Sequence, residues 1–414
     1  MPTVETTVTM SVPEEGMSLE ALEAALAAAL AQAGQRLLLA ACRAMEETTS
    51  PSPRMLRHKP RGTHVLTRFG WVRLQRWQVR DPQTGRYACP LDATLGLRPH
   101  QHVSPWVRDQ AVAFATRVTY RQAAHLLGAL LTVPLDHRML YRWVQQAGAT
   151  LVAVEDAQQT AVFVDGEVPE GDPTVREIIV AEVDGTFLKA QYDEAPEFEV
   201  RLGVLASGKT LESRTAKHRR YRLQERVCYG GVEPAQAFGE RLFLAGERRL
   251  GLSRAQHLLL IGDGAHWIEA LAGSQRWKAT YQLDWWHLRR AITEAFPGQP
   301  RLHRRLLRHL YAGRGQRLPA LIRAAKVAGR GDPARLDALH DYVQANVHGL
   351  YGADQLRPRL SPAARLVAVH GSGAVEKHID LLIGRRFKGR GMRWTRGGAN
   401  RLLKLRLRQL QASA

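Results

Sequence analysis

The chain has 414 residues, enough for two or three domains, each with its own core. Lys and Arg number 59 against 39 Asp and Glu, and a formal charge of +20 points to a polyanionic partner, nucleic acid being the commonest large one. Three scattered cysteines, Cys42, Cys89 and Cys228, exclude a disulfide framework and a CxxC zinc site.

The start lacks a basic-then-apolar leader, and no unbroken run of eighteen apolar residues occurs, so a soluble, cytoplasmic protein without a membrane partner is expected. Residues 1–62 read as an N-terminal helix and linker. Residues 1–16 are polar and expected to fray. Ser18 N-caps a helix to about Glu47, apolar at Leu19, Leu22, Ala25, Leu26, Leu30, Leu37 and Leu38. That stripe packs either on its own domain or on a second subunit. Residues 49–62 carry three prolines and read as the linker.

Residues 63–103 form a small β-hairpin element: Val65 to Trp77 alternates apolar and polar, and Asp81–Gly85 turns the chain. Arg73 and Arg76 are expected on its polar face. Residues 104–165 are helical. Ser104-Pro105 opens one helix, Tyr120 to Leu127 forms another, and a third runs from about Asp136 to Gly148. The last pair has helix-turn-helix spacing, with Arg121, Arg138 and Arg142 as candidate DNA contacts; many such pairs bind nothing.

From residue 172 the periodicity changes to strands, at 174–184, around Val200–Val204 and around Tyr221–Tyr229. A helix follows from Glu233 to about Leu250, then a strand over 257–262, a short helix over Ala265–Ala272 and a strand over 279–283. The order β-β-β-α-β-α-β is that of a ribonuclease H-like mixed five-stranded sheet, whose first and fourth strands are neighbours. The fold class expected is therefore α/β, with 172–284 as the first part of the core. Residues 285–370 form a helical insertion, and 371–414 hold a further core helix and a basic tail.

Two strands end in Asp-Gly, at Asp184 and Asp263. Each pair can be a plain turn, since glycine supplies the positive φ that turns use. If the strands are neighbours, the two carboxylates can instead clamp a hard divalent cation. Glu376, near the start of the helix after Gly371-Ser372-Gly373, is the candidate third ligand; Asp380, one turn on, is its rival, and either can be an ordinary helix carboxylate.

Several stretches together resemble DDE-type insertion-sequence transposases, nearest the Lre-type group and related to mutator-like enzymes. They are Leu91–Leu97 with the Tyr120–Ala124 helix, Val183–Thr186, Asp263–Ile268, Gly389–Trp394, and Asp284-Trp285-Trp286-His287, which is similar to a (Cys/Asp)-x-x-His element. The similarity spans roughly residues 63–408. It implies Asp184, Asp263 and Glu376 as the catalytic triad, holding two Mg²⁺ or Mn²⁺ ions. Lys377 departs from the small residue usual after the glutamate, and a lysine there can touch DNA phosphate. Asp284 and His287 are secondary active-site candidates with Asp380, although His287 also fits a plain hydrogen-bonded histidine under the insertion. Trp285 and Trp286 are expected in the core.

Residues 385–408 contain no acid. Arg385, Arg386, Lys388, Arg390 and Arg393, among glycines, suit phosphate contacts, against the common alternative of a solvated basic face. The function expected is transposition: metal-dependent cleavage of the element's ends and strand transfer into target double-stranded DNA, by a homodimer or higher oligomer associated with the nucleoid. A structure-selective magnesium-dependent nuclease and a domesticated, non-catalytic DNA-binding protein are the alternatives.

Overall fold

The computed structural model of the protein describes residues 3–9, 18–48, 55–97, 101–214 and 219–412. It forms two compact units, residues 1–147 and 148–414. The residues expected to fray lie partly, and linker residues 49–54 wholly, outside this description.

In the first unit, Ser18 caps the helix Leu19–Thr48 by accepting from the Ala21 amide at 3.2 Å. No unbroken run of eighteen apolar residues occurs, yet the helix over Leu19–Glu47 is long and apolar enough to cross a membrane by length and composition. Mixed Leu and Ala reach that average without an unbroken apolar run. Its C-terminal half packs Leu38, Leu39, Cys42 and Met45 on Val65, Val72, Leu74 and Leu91.

Val65, Val72 and Leu74 belong to a sheet of order β1-β2-β3, with β1 Leu56–Thr67, β2 Gly70–Arg80 and β3 Tyr87–Ala88, and Leu91 to the short helix Pro90–Thr94 that follows. The expected linker therefore ends early: residues 56–62 are strand. Pro60 is tolerated there because β1 is an edge strand and its missing N–H breaks no inner ladder. Arg73 and Arg76 do not share a face, because side chains alternate along a strand. Arg73 is exposed, whereas Arg76 turns under the sheet to Asp92, 2.6 Å away. The helices Pro105–Ala115, Tyr120–Leu131 and His137–Phe163 follow, the last running well past the expected Gly148. Arg121, Arg138 and Arg142 are all exposed.

The second unit is mixed α/β around a five-stranded sheet of order β10-β9-β4-β5-β8. Its strands are β4 Ile178–Lys189, β5 Glu197–Ala206, β8 Val227–Gly231, β9 His257–Gly262 and β10 Thr280–Leu283; β6 Gly208–Arg214 and β7 Arg219–Gln224 pair separately. β9, which leads directly into Asp263, neighbours the strand that holds Asp184: it runs parallel to β4 from Ile178↔His257 to Glu182↔Ile261. Alternation sorts β4 into two faces. Ile179, Ala181 and Val183 pack under Phe238, Leu242, Ile268 and Trp277. Ile178 and Val180 pack under Ala353, Leu356, Leu360 and Ala364, so the even-numbered Glu182 and Asp184 project to that second side.

Residues 285–365 are helical between β10 and the last core elements, and Leu288, Ile292, Leu306, Leu310, Ile322 and Leu339 build a core there. Beyond them, the helix Gly373–Ile379 passes through a π-helical turn, Asp380–Gly384, into Arg385–Phe387. The basic tail is partly interior, which corrects its reading as a phosphate surface. Arg386 is 3% exposed and lies 5.2 Å over the Trp394 ring. The helix Arg396–Ala412 buries Leu402, Leu403, Leu405 and Leu407. Lys404, 2% exposed, pairs with Glu155 at 2.8 Å and bonds to Tyr229.

Removing one partner of a buried ion pair strands the other in low dielectric. Lys404→Met is expected to lower the unfolding free energy by about 3 kcal/mol, and exposed Arg390→Ala by less than about 0.5 kcal/mol. Chemical denaturation of both variants checks this.

Candidate active site

Asp184 does not end its strand as expected. It pairs with Leu202 inside the β4–β5 ladder, and β4 continues to Lys189, because β5 supplies partners for Gly185 and Thr186 as well. Asp263, in contrast, directly follows the last residue of β9. Extending the parallel register two steps beyond the Glu182↔Ile261 pair sets Asp263, just past the end of β9, alongside Asp184, at about the 5 Å spacing of neighbouring strands.

The turn after β9 is built for Asp263. Its Oδ1 accepts from the Ala265 amide at 3.0 Å, and its carbonyl accepts from the Tyr342 hydroxyl at 2.6 Å. Gly264 sits at φ +98°, and a Cβ there would come within 2.8 Å of the Tyr342 ring. Both the dihedral and the clash require glycine.

Glu376 reaches the sheet because two buried carboxylates hold the start of its helix. Glu182 accepts from the Ala374 and Val375 amides at 2.6 and 2.9 Å. Asp284, fully buried, accepts from the Ser372 amide at 3.2 Å and from its hydroxyl. Asp284 also caps its own helix, Trp285–Ala295, through the Trp286 amide at 2.8 Å, and takes His287 Nδ1 at 2.7 Å. His287 Nε2 is thereby turned to Glu376, 3.3 Å away. Ligand atoms of Asp184, His287 and Glu376 all lie within 4.8 Å of one another, a group that could hold a metal ion. Asp263 lies beside this group rather than within it, close enough to act on the Asp184 charge.

Sequence patterning did not single out Glu182, whose only signal was a lone acid two residues before Asp184 in an otherwise apolar strand. Asp380 does not join the cluster: it is exposed and paired with Arg385 at 2.9 Å. Trp285 stacks on His370 at 3.9 Å, but Trp286 is 50% exposed, against the expectation of core. It caps the helix surface rather than its buried stripe. An open cleft of about 520 Å³ leads away from Asp263 and His287, lined also by Arg290, Glu294, Arg335 and Tyr342. Lys377, Lys388, Arg390 and Arg393 are exposed, and Lys388 Nζ donates to Thr186 Oγ1 at 2.5 Å.

The electrostatics follow from crowding. Burial, then the neighbouring charges of Asp263 and Glu376, push Asp184 up to about 7. Burial also pushes Glu182 up to about 7, against its two amide hydrogen bonds. For Asp284, burial is outweighed by the bonds from His287 and Ser372, so its pKa is lowered. For His287, burial opposes the charge, but Asp284 and then Asp184 and Asp263 raise its pKa overall. A crowded, partly desolvated anionic donor set of this kind fits a divalent cation.

The linkage sign is the same for Asp184, Glu182 and His287. The folded state holds their protons to higher pH than the unfolded chain does, so stability falls as pH rises, between about 4 and about 7 for Asp184 and Glu182 and above about 6.5 for His287. Asp284 acts oppositely and loses its contribution below about pH 4. Metal-free Asp184→Asn is therefore expected to be more stable than wild type at pH 8, by about 4 kcal/mol, and close to it at pH 4. Thermal melts across that range check the sign.

No curated protein matches this chain. Residues 12–413 match the family model of UPF0236, described as an uncharacterised protein family, and the chain belongs to that family.

Proposed function

We propose that the chain is a DDE-type transposase with a ribonuclease H-like core, which cleaves the ends of its element and joins them to target DNA. One observation carries this: Asp184, Asp263 and Glu376, far apart in sequence, come from a central strand, its parallel neighbour and a helix across the sheet to one locus. The strand order β10-β9-β4-β5-β8, with a helical block between β10 and the Glu376 helix, fits the same reading.

Asp184, Asp263 and Glu376 would hold Mg²⁺ or Mn²⁺, with His287 Nε2 as an additional donor. When bound, such ions activate the attacking oxygen and stabilise the leaving one. The chain's own groups have separate tasks. Asp284 fixes the tautomer and direction of His287 by accepting at Nδ1, leaving Nε2 to face the reacting centre. Glu182 positions Glu376 through the helix amides. Lys388, beside the same face of β4, and Lys377, Arg390 and Arg393 would meet phosphates and set affinity rather than sequence choice. The exposed bases of the Tyr120–Leu131 and His137–Phe163 helices would take part in recognising the ends. Joining two ends in one event calls for a dimer or larger assembly, and the place of action is the nucleoid.

The test incubates purified protein with Mg²⁺ or Mn²⁺ and the DNA flanking its own gene. Joined products are expected. Cleavage without joining would identify a nuclease, and retention alone a binding protein; either would overturn transposition. Asp184→Asn and Asp263→Asn should each lower cleavage roughly a thousandfold, the several kcal/mol that metal-held charge supplies, with DNA retention preserved. Glu376→Gln should do the same and Asp380→Asn should not.

A further inference from the structure

The outer face of the β1–β2 ribbon has no part in the carboxylate site. Cross-strand partners share a face, so the pairs Pro60↔Trp77, Gly62↔Gln75 and His64↔Arg73 line one side. The opposite side is occupied: Val65, Val72 and Leu74 are buried on the N-terminal helix. On the outer side His64, Arg73 and Gln75 are exposed, between Trp71 at 41% and Trp77 at 37% exposure. A Cβ on Gly62 would lie 3.3 Å from both Arg73 Nε and Gln75 Nε2, so both side chains lean over that glycine.

Charge and width identify the occupant. Residues 55–80 contain no Asp or Glu, yet hold Arg57, Lys59, Arg61, Arg68, Arg73, Arg76 and Arg80. Arg76 alone is drawn under the sheet, to Asp92. β3 pairs only at Val79 and Arg80, and residues 102–104 pair with β1 only at Leu66, so along Pro60–Val65 the sheet is two strands wide. A two-stranded ribbon fits the major groove of B-DNA, about 12 Å across, where arginine reads guanine and glutamine reads adenine through paired hydrogen bonds. Arg57 lies 5.5 Å over the Trp77 ring, and with exposed Lys59 and Arg80 it stands where a groove wall would present phosphates. A protein partner would favour an apolar centre, whereas here the centre is Arg, Gln and His.

We propose that this face enters the major groove of duplex DNA, with Arg73 and Gln75 meeting base edges. The choice of duplex DNA as ligand rests on the function proposed above; the ribbon's geometry does not.

The full chain, without divalent metal, is used to select bound sequences from a pool of randomised duplexes, and affinities for the selected site are measured by fluorescence anisotropy at fixed salt. Wild type should yield a preferred site, blocked by N7-methylation of a guanine within it. Arg73→Ala and Gln75→Ala should each lose discrimination at a distinct base pair, by about 5- to 150-fold. Lys59→Ala should weaken all duplexes alike. Asp184→Asn should keep the preference unchanged, so loss of cleavage and loss of base reading are separable. The proposal is overturned if no site is selected, if the Arg73→Ala/Gln75→Ala double variant keeps the wild-type preference, or if single strands bind better than duplex. Loss of self-association in Trp71→Ala/Trp77→Ala, with base preference intact, would instead make the face a subunit contact and equally overturn it. All five ribbon positions are exposed, and unchanged melting curves confirm that the variants fold.

Discussion

Two buried carboxylates anchored on one helix start hold the second unit in its working shape. Glu182 reaches from β4 to the Ala374 and Val375 amides, and Asp284 reaches from the end of β10 to Ser372. The first amides of a helix have no partners within it and carry the positive end of its dipole, so a carboxylate is the natural group to meet them. Burying either acid without those amides would cost several kcal/mol. The anchoring therefore specifies one position for the helix, and with it the position of Glu376. Asp284 carries a further duty, because its remaining contacts orient His287.

The same crowding creates a tension between stability and chemistry. Asp184 lies on a buried strand beside two other acids, and its charge is disfavoured until something positive arrives. Packing alone would replace it with an apolar residue, as it does at Val180 on the same face. Residues whose environment penalises their charged form recur at functional sites for this reason.

The excess of basic residues also divides by role once the chain is folded. Arg76, Arg386 and Lys404 are structural, held by Asp92, Trp394 and the Glu155–Glu233 pair. Arg57, Lys59, Arg73 and Arg80 on the ribbon, and Lys377, Arg390 and Arg393 in the second unit, stay at the surface. Composition counts these alike, and solvent exposure separates them.

Much of this was legible in local patterns. Alternation marked residues 65–77 as strand, although the β1–β2 turn falls inside that stretch at Arg68-Phe69 and not only at Asp81–Gly85. The apolar run before Asp263 marked a buried strand, and the lack of strand signal marked residues 285–370 as a helical insertion, of which 285–365 are helical. Local patterns could not tell a strand-ending Asp-Gly from one inside a strand, and Asp184 proved the second kind because β5 continues the ladder. Nor could they choose between Glu376 and Asp380, which differ only in which side of one helix meets the sheet. The sequence by itself determined most of the strands and helices, though not their ends, and which acids exist, since periodicity and turn chemistry act over a few residues. Only tertiary structure decided which acids meet, because strand register and helix anchoring depend on contacts between residues far apart in the chain.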